Sequence, residues 1–217
     1  MLIVRMTQVK EEFVLFYCTN SIYSNFHPAE FRDEELMSIL PKSSKFCRQM
    51  DFWFSHVEQY MHASKALLFL DIPMFDQILS VSNPKVAKQL GRLVEQFDDE
   101  VWTATARDIV TRGCFLKFDQ NKLLQQQMKV DGAGRIFVEC APRDQRWGIG
   151  LGIKNLKCLK PSHWQGQNWL GKCLDNTLKH LNHGTEPKLL KYFGSDSIPK
   201  VEKNLQFNAN NDLDKCH

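Results

Sequence analysis

The order of apolar and polar residues along the chain predicts a helix-rich domain with a small sheet. Two segments rich in β-formers, EFVLFYCT (12–19) and IFVECA (136–141), predict strands, and the second is apolar enough for the centre of a sheet. A short aromatic segment at 51–55 predicts a third strand. Elsewhere, apolar residues three and four positions apart predict helices. The helical segments are 55–69, 71–81, 83–97, 98–118, 121–130 and 169–181.

Local residues indicate where some of these helices begin. Asn83 followed by Pro84 is a favoured N-cap and first helical residue. Asn168 or Gln167 is the expected N-cap of the last helix. Gly91 lies inside a predicted helix, where it costs about 1 kcal/mol relative to Ala. A close approach of another backbone would explain its presence.

The residue pattern also predicts the domain organisation. Charged residues at 32–50 indicate an excursion from the core. From residue 184 to 217, clusters of Gly, Pro, Ser, Asn and Asp replace most apolar residues, which predicts a flexible tail. We therefore expect a helix-dominated single domain of the α+β class with a small β-sheet at 11–183, followed by the tail.

The helix predicted at 55–69 carries polar residues beside its apolar stripe. Within it, Glu58 and Lys65 lie about 20° apart around the helix axis and about 10.5 Å apart along it. One interpretation is a solvated helix edge with weak ion pairs. The other is a substrate cradle, in which burial makes the Lys65 amine nucleophilic while Glu58 acts as an acid or base. The apolar stripe is Val57, Tyr60, Met61, Ser64, Leu67 and Leu68, and the second stripe is Glu58, His62, Lys65 and Phe69.

The segment PRDQRWGIGLG (142–152) predicts a loop directly after the strand at 136–141. Its Asp144 is either a ligand-binding carboxylate or a residue that caps a turn. Trp147 lies beside glycines at positions 148, 150 and 152. Glycines let a backbone pass close to a ligand, and backbone N–H groups can bind an anion. The spacing is not that of the dinucleotide-binding fingerprint.

Composition narrows the class of protein. A net charge of +3 over 217 residues is too small to indicate a nucleic-acid binder. Between Arg143 and His180, seven Lys or Arg residues face two Asp, which indicates a solvated basic face or attraction of a phosphorylated ligand. Seven cysteines without a C-x-x-C pair indicate reduced thiols rather than a disulfide framework or zinc site. The sequence shows neither an apolar run typical of a signal peptide nor one long enough to span a membrane. We therefore expect an intracellular protein, cytoplasmic or nuclear.

Seven short motifs occur in order along the chain. They are YSNFHPAEF (23–31), VEQYMHASKA (57–66), AKQLGR (87–92), W-x4-R at Trp102 and Arg107, KFDQN (117–121), VECAPRDQRWGIG (138–150) and WQGQNWLG (164–171). Together they resemble the NADAR family, also called YbiA-like, over about residues 15–182. The resemblance implies a YbiA-like α+β fold and N-glycosidase activity, on ribosylamino-pyrimidine phosphates of the riboflavin-intermediate type or on ADP-ribosylated bases.

The resemblance also implies a set of site residues. Those implied as catalytic are Glu58, Lys65 and Asp144. Those implied as substrate-binding are Ser24, Asn25, Phe26, Trp102, Arg107, Trp147, Gly148, Gly150, Trp164 and Asn168. No metal ion or cofactor is implied. The partner would be a phosphorylated ribosyl or ADP-ribosyl small molecule, or an ADP-ribosylated nucleic acid, and not a membrane.

Three features depart from the family pattern. Arg143 stands where the family usually has a Tyr before the Asp of its loop, and Asp131-Gly132 replaces the usual Thr-Gly. The excursion at 32–50 is longer than in compact members. None of these removes a proposed catalytic group, but each bears on the identity of the substrate.

A mechanism follows from the chemistry of the bond. Cleaving the bond from ribose C1′ to nitrogen builds positive charge at C1′ and needs a proton on the departing nitrogen. We expect Glu58 to manage proton transfer and Asp144 to orient water or the sugar hydroxyls. Lys65 could hold C1′ as a transient Schiff base. Trp147 or Trp102 would stack on the base.

Two alternatives remain open from the sequence. A non-catalytic module that binds ADP-ribose or a similar nucleotide would need Trp147, the glycines and Asn168, but not Glu58 together with Lys65. An inactive paralogue that serves as an interaction surface is the other. No motif indicates a protein partner.

Overall fold

The computed structural model describes residues 7–48 and 52–193. Within these residues it contains a three-stranded sheet and eight α-helices, which confirms the α+β class. The strands are β1 (Thr7–Val9), β2 (Phe13–Phe16) and β3 (Ile136–Glu139). The helices are α1 (Glu34–Ser38), α2 (Val57–Leu68), α3 (Ile72–Leu79), α4 (Pro84–Gly91), α5 (Asp99–Gln120), α6 (Lys122–Asp131), α7 (Trp169–His183) and α8 (Leu190–Phe193).

The sheet has the order β1-β2-β3, with β1 antiparallel and β3 parallel to β2. The central strand is therefore β2, and the prediction of a central position for β3 was wrong. The apolar character of β3 has another cause, because both faces of the sheet are covered. Phe137 belongs to the main core on one face, and Val138 belongs to a smaller core on the other face.

The main core is built around α2, which packs against α3, α4 and α5. Every residue from Val57 to Leu67 is buried. The polar second stripe is therefore buried as well, and the interpretation of a solvated helix edge was wrong. A helix surrounded on all sides can keep polar groups only if they find partners inside the protein or serve a function.

The structure confirms one predicted helix start and shortens two predicted elements. The Asn83 cap is confirmed, since its Oδ1 accepts a hydrogen bond from the Lys85 N–H at 2.9 Å. Helix α4 ends at Gly91 rather than continuing to residue 97. The strand predicted at 51–55 is reduced to an isolated bridge between Phe31 and Phe54, while residue 51 lies outside the described residues.

The C-terminal part of the described chain packs against the domain. Glu35 accepts hydrogen bonds from the backbone N–H groups of Leu189 and Leu190, both at 2.7 Å. Leu189 is buried, and the Tyr192 hydroxyl donates to Asp108. The packed chain thus reaches into the segment assigned to the tail, and the rest of that segment, residues 194–217, lies outside the described residues.

The described residues contain no disulfide and no helix that could span a membrane. Their six cysteines are all free thiols, and the seventh, Cys216, lies outside the described part of the chain. Among their helices, none combines the length and the apolar character that crossing a bilayer requires.

Candidate active site

Glu58 is held at the start of α2 by contacts from three elements. Its backbone N–H donates to the Asn25 carbonyl at 3.0 Å. Its carboxylate is 3.2 Å from Nε2 of His62 and 3.7 Å from Nζ of Lys88. Burial opposes ionisation of Glu58, but the hydrogen bond and charge of His62, together with the charge of Lys88, outweigh it and lower the pKa. Glu58 is therefore an ionised, buried carboxylate.

His62 completes this arrangement through its second ring nitrogen. Nδ1 of His62 is buried and has no hydrogen-bond partner in the described structure. A Cβ added to Gly91 would lie 2.0 Å from this nitrogen. The close approach expected at Gly91 is thus made by a side chain and not by a backbone. Nε2, and not Nδ1, is the ring nitrogen whose proton can be donated to Glu58.

Lys65 lies two turns further along α2 and has an aromatic surrounding. Its Nζ donates to the Gly91 carbonyl at 2.8 Å. The same nitrogen lies 3.9 Å from the centroid of the Phe97 ring and 5.7 Å from that of Trp102. Burial lowers the pKa of Lys65, and the charge of Asp99 only partly offsets this effect. The side chain therefore has a larger neutral, nucleophilic fraction than an ordinary lysine.

Asp144 shapes the loop that follows β3. Its Oδ1 accepts hydrogen bonds from the backbone N–H groups of Arg146 at 3.0 Å and Trp147 at 2.7 Å. Its carbonyl accepts from Gly150, whose φ of 71° lies in the left-handed region that favours glycine. Turn capping, one of the two interpretations of Asp144, is thus present, and both capping bonds end on one oxygen of the carboxylate.

Glu139, at the end of β3, is a candidate site residue that the sequence did not single out. Its Oε2 atom is buried and has no hydrogen-bond partner within the described residues. Burial raises the pKa of Glu139 to about 8, and the negative charges of Asp144 and Glu58 add to this effect. The sequence position of Glu139 could have identified it as a candidate, since it is the last residue of an apolar strand and precedes the loop at 142–152.

Asn168 and Gly171 join α7 to β3. Asn168 has a left-handed backbone with φ of 51°, and its side chain does not cap the helix as predicted. Instead its Oδ1 accepts from the Glu139 N–H at 3.0 Å, and its Nδ2 donates to the Phe137 carbonyl at 2.8 Å. A Cβ on Gly171 would lie 2.1 Å from the Phe137 carbonyl oxygen. The contacts of Asn168 therefore position the strand that carries Glu139.

Aromatic and cationic side chains lie on the segments beside these groups. Trp147 meets Trp169 edge-on, with ring centroids 5.6 Å apart. The guanidinium groups of Arg107 and Arg146 lie 5.3 and 5.4 Å from the Trp169 ring centroid. Lys88, which contacts Glu58, also lies over Phe26 at 5.6 Å. The sequence did not single out Trp169 or Lys88.

Trp164 does not belong to this group of residues. It packs edge-on against Phe13, with centroids 6.5 Å apart, in the smaller core on the other face of the sheet. Its Nε1 donates to the Cys158 carbonyl at 2.9 Å. Because its ring and its polar atom are both engaged there, Trp164 supports the loop from behind.

The turn that contains Ser24, Asn25 and Phe26 is anchored by a buried lysine. Nζ of Lys117 donates to the carbonyls of Ile22 at 2.6 Å and Ser24 at 3.0 Å. The Ser24 hydroxyl accepts from the Phe26 N–H at 3.1 Å. Burial lowers the pKa of Lys117 to about 8. This anchor fixes the Asn25 carbonyl that accepts from Glu58.

A cavity of about 980 Å³ lies elsewhere, between α1, α5, α7 and the C-terminal segment. Of the site residues implied by the sequence, none lines it. Its buried arginine, Arg112, is paired with Asp33, Glu35 and Glu186. Glu58 and Glu139, whose pKa values are shifted in opposite directions, are the better candidates for chemistry, because such perturbations concentrate at functional sites.

Comparison with known proteins gives these residues a family context. The family model for the NADAR domain matches residues 15–182. Protein irg-1 of Caenorhabditis elegans is 34% identical over 171 residues, which cover 78% of this chain and 79% of irg-1. N-glycosidase R617 of Acanthamoeba polyphaga mimivirus is 34% identical over 170 residues, which cover 76% of this chain and 93% of R617.

The fold is also similar to a solved structure. The NMR structure of the E. coli protein YbiA matches with a TM-score of 0.55 and 21% sequence identity, covering 82% of this chain and 90% of YbiA. At this identity the likeness concerns the fold, which is the one expected from the motifs. Because the family model spans most of the sequence, the resemblance is confirmed, and the chain belongs to the NADAR domain family.

Proposed function

We propose that this protein is an N-glycosidase that hydrolyses the bond between ribose C1′ and a base or amine nitrogen. Its substrates are ribosylamino-pyrimidine phosphates or ADP-ribosylated bases. The observation that carries the proposal is the burial on α2 of an ionised Glu58 and of a lysine, Lys65, whose pKa is lowered. A relative with 34% identity is named an N-glycosidase, which supports the class of reaction.

Lys65 supplies the nucleophile in this proposal. Its neutral amine adds to C1′ of the ring-opened ribosylimine and forms a Schiff base as the departing nitrogen leaves. Water then hydrolyses the Schiff base, which releases the sugar aldehyde and restores the amine. The Phe97 and Trp102 rings beside Nζ favour the cationic Schiff base, because aromatic faces attract positive charge.

Glu58 and Asp144 supply the negative charge that the cationic intermediates require. Glu58 is already ionised and hydrogen-bonded to His62, so it can accept a proton from the attacking water or stabilise positive charge near C1′. One oxygen of Asp144 holds its loop, and the carboxylate can orient water or sugar hydroxyls with the other.

The remaining side chains suit a flat, anionic substrate. Half-buried Trp147 is better placed than buried Trp102 to stack on a base. Arg107, exposed beside the Trp169 ring, and Lys88 offer positive charge for a phosphate group. Substrate recognition therefore combines stacking with charge, which both proposed substrate classes would satisfy.

The proposal is tested by incubating the full chain with a ribosylamino-pyrimidine phosphate and, separately, with an ADP-ribosylated guanine nucleotide or DNA. Released sugar is measured, and borohydride is added during turnover to trap the Schiff base. The wild type should release sugar and acquire the sugar mass on Lys65. Lys65→Met and Glu58→Gln should each lose about 10²-fold or more in kcat.

The matched control is Lys85→Met, which removes an exposed lysine of α4. It should keep the wild-type rate, and all variants should be checked by thermal unfolding. Binding of the probes without release of sugar would contradict the proposal and favour the non-catalytic nucleotide-binding module. Turnover without a trapped adduct would remove the Schiff base while leaving the carboxylate route.

A further inference from the structure

We infer that Glu139 is the residue that gives a proton to the departing nitrogen. This inference rests on the proposed N-glycosidase function and assigns one of its steps. It divides the role expected from the sequence, in which Glu58 managed proton transfer. Glu58 then acts as the ionised carboxylate that accepts a proton from water or stabilises positive charge at C1′.

The main chain of Glu139 is fixed on both sides. Its N–H donates to Oδ1 of Asn168 at 3.0 Å, and its carbonyl accepts from the Ile149 N–H at 2.9 Å. It also pairs with Phe16 in the parallel register of β2 and β3. A catalytic carboxyl needs such support, because errors of position of about 1 Å reduce proton transfer strongly.

The carboxyl group itself is left without a protein partner. Oε2 of Glu139 is buried, and no described residue offers it a hydrogen bond. A buried polar atom without a partner costs about 1–3 kcal/mol, and more when it is charged. The Asp33 carboxylate avoids that cost by accepting four hydrogen bonds, and buried Glu35 is paired with Arg112 at 3.0 Å. The open oxygen of Glu139 is what a donor to an incoming ligand requires.

The surroundings keep the proton on Glu139 while Glu58 stays ionised. Burial and two negative neighbours act together on Glu139 and raise its pKa to about 8, and Lys88 only partly opposes them. Glu58 has His62 and Lys88 as direct partners instead. Two carboxyl groups whose environments separate their pKa values are the arrangement of an acid and a base. The charged or titratable groups that interact with Glu139 are Asp144, Glu58, Lys88, Cys114 and Cys140.

Proton transfer from Glu139 accompanies cleavage of the bond from C1′ to nitrogen. The O–H of Glu139 gives its proton to the substrate nitrogen while the bond from C1′ to nitrogen breaks and its electron pair stays on nitrogen. The Nζ of Lys65 takes over C1′, and water later replaces it there, with Glu58 accepting the proton from that water. Glu139, now a carboxylate, regains a proton from Glu58 or solvent before the next turnover.

The experiment compares wild type and Glu139→Gln with two leaving groups. A ribosylamino-pyrimidine phosphate needs a proton on its departing nitrogen. Nicotinamide mononucleotide has no N–H and cannot open to an imine, so it reacts by direct attack of Lys65 at C1′ and releases a neutral pyridine without a proton. Glu139→Gln should lose about 10²–10³-fold in kcat on the first substrate and little on the second. The wild-type rate on the first should fall above pH about 8, and the variant should not show this fall.

Asp175→Asn is the matched control. Asp175 accepts a hydrogen bond from the N–H of Phe137, which lies on the same strand as Glu139. Burial raises the pKa of Asp175 to about 6, and the causes of this shift do not include Glu58, Asp144 or Glu139. This variant keeps an oxygen to accept the bond and should retain wild-type activity and pH dependence.

Lys88→Met provides a second readout that does not depend on the stability of Glu139→Gln. Removing the positive charge raises the pKa of Glu139, so the alkaline fall in rate should move to higher pH. An unmoved alkaline fall, or an equal loss on both leaving groups in Glu139→Gln, would overturn the inference. A wild type that releases no sugar from either probe would instead remove the proposed function itself.

Discussion

Two buried clusters of charge lie on opposite sides of the core helices and differ in how their groups are satisfied. In the first, Arg112 donates Nε to Asp33 at 2.7 Å, and the Tyr60 hydroxyl donates to the same carboxylate at 2.6 Å. Arg112 also reaches Glu35 and Glu186, both at 3.0 Å. Both oxygens of Asp33 accept two hydrogen bonds each, and each carboxylate of this closed cluster is paired with Arg112.

The second cluster, at the candidate site, has incomplete hydrogen bonding and is the open cluster. Glu139 and His62 each keep a buried polar atom without a partner among the described residues. Glu139 lies within the electrostatic range of two other carboxylates, Glu58 and Asp144, and of one lysine, Lys88. Buried carboxylates thus stabilise the fold in the first cluster, whereas in the second cluster their burial lowers the stability of the folded protein. Glu35 of the first cluster also has an oxygen without a hydrogen bond, but that oxygen lies 3.0 Å from Arg112. Among the described residues no ion pair reaches Glu139, and this lack of a paired counter-charge distinguishes the candidate site.

The largest expected effect is on the closed cluster. Arg112→Met leaves Asp33 buried without its counter-charge, so the free energy of unfolding should fall by about 3–5 kcal/mol. Chemical denaturation measures this loss. The control is Lys122→Met, which breaks an exposed pair with Asp119 and should cost less than about 1 kcal/mol. A loss of stability in Arg112→Met as small as that in the control would show that the cluster contributes little.

The open cluster should respond in the opposite direction. The folded pKa of Glu139, about 8, lies above its ordinary value of 4.5, so the folded protein binds an extra proton between these values and loses stability as pH rises through them. Glu139→Gln removes this loss. It should match wild type near pH 4 and exceed it by about 2–4 kcal/mol near pH 8, as judged from about 1.4 kcal/mol per pKa unit as an upper limit.

Unfolding free energies measured across this pH range test the sign directly. A variant that is less stable than wild type at pH 8 would show that the Glu139 carboxylate is well paired in the folded protein. Asp175→Asn, with a raised pKa of about 6, should show a similar but smaller gain that is complete at lower pH.

A third prediction concerns the support of the open cluster. Asn168→Gly keeps the left-handed backbone but removes the bonds to the Glu139 N–H and the Phe137 carbonyl. Two buried backbone groups then lack partners, so stability should fall by about 2–3 kcal/mol. Asn155→Gly, at an exposed cap, should cost only a few tenths of a kcal/mol. A loss of activity without a loss of stability would instead indicate direct substrate binding by Asn168.

The smallest effect is expected at Gly91. Gly91→Ala would drive a methyl group into the His62 ring, so stability should fall by about 1–2 kcal/mol despite the better helix propensity of Ala. In a His62→Ala background the same change should be neutral or stabilising. Thermal unfolding of the single and double variants measures the coupling, and additive effects would show that the two residues do not compete for space.

The sequence determined the elements and part of the site. Helical spacing was enough to predict α2 and to set Glu58 and Lys65 two turns apart on one side of it, because side-chain direction in a helix depends only on local geometry. Asn83 and Pro84 marked the start of α4 for the same reason. The position of Asp144 in the loop after a predicted strand marked it as a candidate, and motif resemblance added the family.

Only the tertiary structure decided which polar groups lack partners. The charge of Glu58, which lies far away in the sequence, acts on Glu139, and Trp164 packs in the core on the other side of the sheet. The structure also buried the whole second stripe of α2 and put β2, not β3, in the centre of the sheet. Desolvation and charge–charge effects depend on distances between residues remote in the chain, and no local spacing encodes those distances.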